Sequence, residues 1–287
     1  MGNITRDRDS AVARVSAAVE VYLNEGKLEL PVMPQVAQKA LQVTNDPEAD
    51  ASDLSDLLNP DQSIVSHVLR IANSASYAGG QRIDSLDQAI ARLGMNLLGE
   101  IAVVVSFEGE LFSIPGFEAE AKSILRHALA AGVYGKEVAR TRRRNVESQF
   151  LCGLMHSIGQ AIAFDLISQT MGFVGVKLER GDLRHIASEV GPEVANRAVV
   201  EWNLPRLLQF TTRFNTDYHR APKFEEECAA TYASRMLADW LLYPKEYDAE
   251  QLRDDAVWGI LNLYPDDIQD LLDKRDEVRS IVAAMEF

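Results

Sequence analysis

Residues 151–160, Leu-Cys-Gly-Leu-Met-His-Ser-Ile-Gly-Gln (LCGLMHSIGQ), nearly spell a metal-binding helix. A His followed by Asp on such a helix can chelate a divalent metal, and here Ser157 follows His156. The stretch therefore reads as a helix that carries either a catalytic centre or only its scaffold. Ser157 is not expected to be activated by His156, because neighbours on a continuous helix point about 100° apart and no acidic orienter is evident.

Outward from this segment the chain keeps a helical period. Leu54, Leu57 and Leu58, then Ile64, Val65, Val68, Leu69 and Ala72, recur at three- and four-residue spacing. Ser85-Leu86-Asp87-Gln88 is a capping-box pattern, followed by Leu86, Ala89, Ile90 and Leu93, with Gly94 placed for a left-handed stop. Ile101–Phe107 (IAVVVSF) is β-branched and apolar; in this setting it reads as a buried helix. The expected fold is all-α. Ser113-Ile114-Pro115-Gly116 is a turn-forming cluster, which divides the chain into a helical lobe over 1–115 and a second over 116–287.

Hydrophobic residues make up 47% of the 287 and charged residues 25%, the profile of a folded chain with a sizeable core. The 29 basic and 43 acidic side chains leave −14, which opposes phosphate backbones and makes nucleic acid an unfavoured partner. Residues 246–287 hold 12 of the acidic and 4 of the basic groups, yet Trp258, Leu261, Leu271 and Leu272 mark the segment as packed helix. Two cysteines, Cys152 and Cys228, offer no disulfide framework, and no charged-then-apolar leader opens the sequence, so a cytoplasmic protein is expected. The apolar runs read as too short or too interrupted to cross a membrane.

His127 lies 29 residues before His156 (156 − 127), a spacing that lets two antiparallel helices bring both imidazoles into one cleft. On their own, two histidines read first as hydrogen-bonded interior side chains and only second as ligands. Cys152 and His156 share a helix face, but a free Cys is expected as a small buried hydrophobe. Arg140-Thr141-Arg142-Arg143-Arg144 is a basic helix end, read as solvated first and as an anion site second. Asn73-Ser74 before Gly79-Gly80 reads as a helix terminus.

Taken in order, Leu30-Pro31-Val32-Met33-Pro34, Asn45-Asp46-Pro47, Leu69-Arg70-Ile71-Ala72-Asn73-Ser74, Arg126-His127, Gly153-Leu154-Met155-His156-Ser157-Ile158-Gly159, Glu201-Trp202-Asn203-Leu204-Pro205 and Ala238-Asp239 resemble the HDOD domain family. That bacterial family is an offshoot of the HD phosphohydrolases, and the resemblance runs over roughly residues 25 to 245. It implies a family-specific N-terminal helical lobe and an HD-like C-terminal lobe. His127 then matches the first ligand of an active HD enzyme, His156 the His of the doublet, and Asp239 the final Asp. Ser157 replaces the doublet's Asp and Gln160 the Lys that often follows. Windows where relatives carry further histidines hold Gly191-Pro192 and Asn215-Thr216 instead.

The resemblance with these departures implies a non-catalytic signal-transduction or output module of a bacterial regulatory system, such as a response regulator, with a degenerate site that holds no metal and no cofactor. Its partner is expected to be a protein, with no membrane role. Arg126, His127, His156, Ser157 and Asp239 form the remnant cleft, with Arg126 a candidate phosphate ligand. Asn73, Ser74, Trp202 and Pro205 are expected to be structural. The alternative is a residual metal-dependent phosphohydrolase or a nucleotide-sensing domain that uses the same cleft.

Overall fold

The recurring apolar period closes into helices packed through their buried stripes. The computed structural model describes residues 2–24, 30–77, 79–112, 114 and 116–286, and no strand occurs among them. The first six helices are α1 (Gly2–Asn24), α2 (Gln35–Asn45), α3 (Ala51–Leu58), α4 (Gln62–Ala72), α5 (Leu86–Leu93) and α6 (Met95–Leu111). Next come α7 (Glu118–Arg142), α8 (Val146–Met155), α9 (Ile158–Val174), α10 (Arg180–Glu201), α11 (Arg206–Phe214) and, after a 3-10 turn at Tyr218–Arg220, α12 (Glu225–Leu242). The acidic last stretch forms α13 (Ala249–Arg253), α14 (Val257–Leu261), α15 (Pro265–Asp273) and α16 (Arg275–Met285).

Helices α2 to α6 pack on one another, and α7, α8 and α12 form a second group beside the α9–α10 pair. The β-branched run 101–107 lies in α6, which is buried along most of its length. Of the turn cluster at 113–116, Ser113 and Pro115 lie outside the described residues. Helix α1 packs on α9 and α10, far along the chain, and α16 returns to α7 and α4. The acidic segment is folded as its apolar residues require, with Trp258, Leu261, Leu271 and Leu272 buried.

Two local expectations shift in detail. Ser85 accepts the Gln88 amide at 3.3 Å, but the Gln88 side chain takes the amide of Asp84 at 3.1 Å, one residue beyond the cap. Gly94 has φ 82° and ψ 158°, outside the left-handed helical region, and this glycine-only geometry turns α5 into α6 through 117°. Residues Ser148–Val174 are, against expectation, long and apolar enough for a membrane span by composition; that apolarity is spent in the core, since 78% of the most apolar window is buried.

The family-motif residues act as ties. Asn73 donates to the carbonyls of Leu69 and Ile83, each at 2.8 Å, and accepts the Ile83 amide at 2.8 Å, which pins the end of α4 to the following loop. Ser74 caps the same end by donating to the Ile71 carbonyl at 2.7 Å. The Trp202 indole donates to the Pro31 carbonyl at 2.8 Å and lies 6.0 Å from the Phe107 ring, joining the end of α10 to the N-terminal helices. Pro205 stands at the N-cap of α11 with φ −49°, preset for helix entry. Lys136 on α7 reaches Glu100 on α6 at 2.8 Å, where the carboxylate is 4% exposed.

Glycines set how closely the helices under the site approach. A Cβ on Gly153 of α8 would overlap the Ala131 carbonyl of α7, and one on Gly159 of α9 would overlap the Gly191 carbonyl of α10. Neither neighbour is a movable side chain tip, so Gly153→Ala and Gly159→Ala are each expected to cost about 3 kcal/mol, at the upper end of overpacking penalties. Gly172, exposed on α9 with nothing near its absent Cβ, is the contrast. Gly172→Ala is expected to stabilise by about 0.5–1 kcal/mol through helix propensity, and urea unfolding of the three variants measures the difference.

Candidate functional site

His127 projects from α7 and His156 closes α8, and the Gly153 contact between those helices brings their ring centroids to 5.1 Å. His127 Nε2 lies 2.9 Å from Asp239 Oδ1 on α12. The spacing argument for two antiparallel helices thus brings His127, His156 and Asp239 to one place, with Ser157 beside them.

The expectation for Ser157 is overturned. Helix α8 ends at Met155 and α9 begins at Ile158, so His156 and Ser157 sit in a turn and not on a continuous helix. The 100° separation does not apply, and Ser157 Oγ lies 2.7 Å from His156 Nε2. His156 Nδ1 stands against the Gly153 carbonyl. A neutral imidazole satisfies both partners: Nδ1–H donates to the carbonyl, and Nε2 accepts the serine hydroxyl. Burial, then the neighbouring His127, pushes the His156 pKa well below its ordinary 6.5, in keeping with that neutral form.

These residues line a cleft of about 1250 Å³ bounded by α7, α9, α10, α11 and α12. Gln160, Gly191, Asn215 and Thr216, the positions the resemblance singled out as departures, all line it too. Arg126 does not. It stands one residue from His127 on α7 and so faces away, towards α16, where its guanidinium is held by the Glu286 carboxylate, one bond at 2.8 Å. The expected role for Arg126 in the cleft is therefore corrected. Cys152 is fully buried and its thiol is pushed up to about 12 by burial, so it acts as core and not as a soft ligand beside His156. Three arginines of the basic helix end form ion pairs: Arg142 and Arg144 both bind Glu226, the latter at 2.9 Å, and Arg140 binds Glu137, while Arg140 and Arg144 stay largely exposed, as a solvated helix end would be.

An HD-type divalent ion needs several carboxylate and imidazole donors turned to one point. Among the described residues no group of three or more His, Cys, Asp and Glu side chains is so arranged. His127 is turned to Asp239, and both His156 nitrogens have partners. The donor set does not fit such a metal, and Ser157 supplies a neutral hydroxyl where a charged ligand would stand.

Sequence reading missed Arg235, Thr212 and Arg184, which share the cleft. Arg235 is four residues before Asp239 on α12, so the i,i+4 spacing alone placed it on the face of the matched Asp. Thr212 and Arg184 carried no such signal.

A family profile for the HDOD domain matches residues 30–218, two thirds of the chain. It includes His127, His156, Ser157, Trp202 and Pro205 and ends before Asp239. An uncharacterized protein of Treponema pallidum (strain Nichols) is 23% identical over 247 residues; the match takes in 80% of this chain and about half, 48%, of that protein's length. A solved structure of a candidate metal-dependent phosphohydrolase from Shewanella amazonensis SB2B is similar at TM-score 0.73 with 17% identity, covering 96% of this chain and 100% of that one. A candidate signal transduction protein from Marinobacter aquaeolei VT8 matches at TM-score 0.67 with 19% identity, covering 98% of this chain and 67% of the other. At these identities the likeness is one of fold.

The depressed His156 pKa has a consequence for stability. Unfolding restores an imidazole of pKa near 6.5, so below that value the unfolded chain binds a proton that the folded chain refuses. The contribution is complete above about pH 6.5 and is lost as pH falls towards the folded pKa. His156→Asn is expected to flatten the fall in unfolding free energy between pH 7 and 5.5 by up to about 1.4 kcal/mol per pH unit, the slope of one proton, read by urea titration at each pH.

Proposed function

We propose, for a chain that belongs to the HDOD domain family, a non-catalytic role as a signal-transduction module whose HD-type cleft has lost its metal chemistry. In this reading residues 1–115 are the family-specific lobe and residues 116–287 the HD-like lobe that carries the cleft. One observation carries it: Ser157 stands in place of the doublet carboxylate and its hydroxyl occupies His156 Nε2 at 2.7 Å. A carboxylate there would supply both a strong ligand and negative charge to a divalent cation, and a serine hydroxyl is at best a weak neutral ligand with no charge. Without a metal no water is activated for attack on a phosphate ester.

The output of such a module is recognition. The partner is a protein in a bacterial regulatory system, such as a response-regulator pathway in the cytoplasm, since a net charge of −14 opposes nucleic acid. The fold shared with a candidate signal transduction protein accords with this role, and the fold shared with a candidate phosphohydrolase accords with an enzymatic ancestor. The retained His127–Asp239 pair is the feature that favours a residual metal-dependent phosphohydrolase instead.

Metal content decides between them. Protein grown with added manganese, iron and zinc is expected to carry well under one equivalent of any of them by plasma mass spectrometry, and to show no manganese-dependent cleavage of bis-p-nitrophenyl phosphate. Stoichiometric metal that disappears in a His127→Ala/His156→Ala double variant would overturn the proposal and establish the phosphohydrolase reading.

A further inference from the structure

The cleft retains a cation although its residues do not fit a metal. Arg235 lies on its wall, with the guanidinium carbon 5.6 Å from the Tyr232 ring centroid. Tyr232 is itself tied to Asp255, its hydroxyl 3.2 Å from Oδ2, so the stack on which the arginine rests is anchored. Arg235 has no carboxylate within ion-pair distance among the described residues, and its Nε is buried without a hydrogen-bond partner. The positive charge is near enough to His156 to oppose protonation of that ring. The two arginines that line the cleft from α10 differ: Arg180 and Arg184 share Glu120, at 3.3 and 3.5 Å.

A second donor in the same cleft is also left over. Thr212 is 2% exposed, and its Oγ1 is buried without a partner, whereas the adjacent Thr211 hydroxyl is satisfied by the Leu207 carbonyl at 3.0 Å. A buried donor without a partner is costly, and two on the walls of one cleft are most simply reconciled by a ligand that accepts from both. Asp239 forms no ion pair with Arg235 among the described residues; its recorded partner is His127.

We infer that Arg235 takes over the electrostatic role of the missing metal, and that the cleft binds a small phosphate monoester, without metal, through the Arg235 guanidinium and the Thr212 hydroxyl. The inference rests on the metal-free reading of the same cleft. Phosphate suits the donors better than carboxylate: it brings a second negative charge and a third acceptor oxygen to a planar fork and a hydroxyl, and exposed Arg213 in the lining likewise has no carboxylate partner among the described residues. Tyr243 and Tyr247 in the lining provide rings for an aromatic ester group.

Isothermal titration calorimetry in excess EDTA tests this, with phenyl phosphate as the probe and benzoate as the carboxylate of the same ring. Phenyl phosphate is expected to bind at one site per chain, and more tightly than benzoate. Arg235→Gln is expected to weaken it by about tenfold or more, and Thr212→Val by a smaller factor. Arg235→Lys, which keeps the charge and loses the fork, should fall between wild type and Arg235→Gln, so a misfolded glutamine variant does not leave the question open. No binding, or binding unchanged by either Arg235 variant, overturns the inference while leaving the metal-free reading intact. Equal binding of benzoate overturns the choice of phosphate. Binding that appears only when manganese replaces EDTA overturns both.

Discussion

Backbone contact between α7 and α8 at Gly153 is the constraint from which the cleft follows. With no side chain there, α8 lies against the Ala131 carbonyl, and only at that separation does the His156 ring reach 5.1 Å from His127. Gly159 repeats the arrangement at the start of α9, seating it on α10 and fixing the opposite wall. The two glycines flank the break at His156-Ser157. A few residues therefore set helix spacing, turn the chain and present the polar groups together.

The break reverses the sense of the sequence at one point. A serine beside a histidine on a helix is geometrically idle, whereas a serine beside a histidine in a turn becomes its hydrogen-bond partner. Periodicity measures faces, and faces exist only while the helix continues. The apolar residues Leu154, Met155, Ile158 and Ala161 keep a helical rhythm straight through the interruption, which hid it.

The fold was legible because each helix advertises a buried stripe, and Leu54, Leu58, Ile64 and Val68 are buried as their spacing required. His127, His156 and Asp239 were legible as a set because dispersed motifs matched a known pattern in order. Arg126 was misplaced because a motif match records neighbours in sequence and says nothing of the direction in which each side chain leaves the helix. Arg235 was overlooked for the converse reason: it belongs to no motif, and its significance lies in the lack, among the described residues, of a carboxylate partner, which only the assembled neighbours define.

Both ends of the described chain reach helices remote from them in sequence. Helix α1 lies on α9 and α10, whose residues wall the cleft, and α16 spans from α7 to α4, with Glu286 receiving both Arg126 and Arg70, the latter on its backbone carbonyl at 2.7 Å. Mechanically this is a crossed lashing. Torque applied to α1 would pass straight to the cleft wall without travelling through α2 to α6, and tension on α16 would load both helix groups at once. A perturbation at either end thus has a short load path to the cavity.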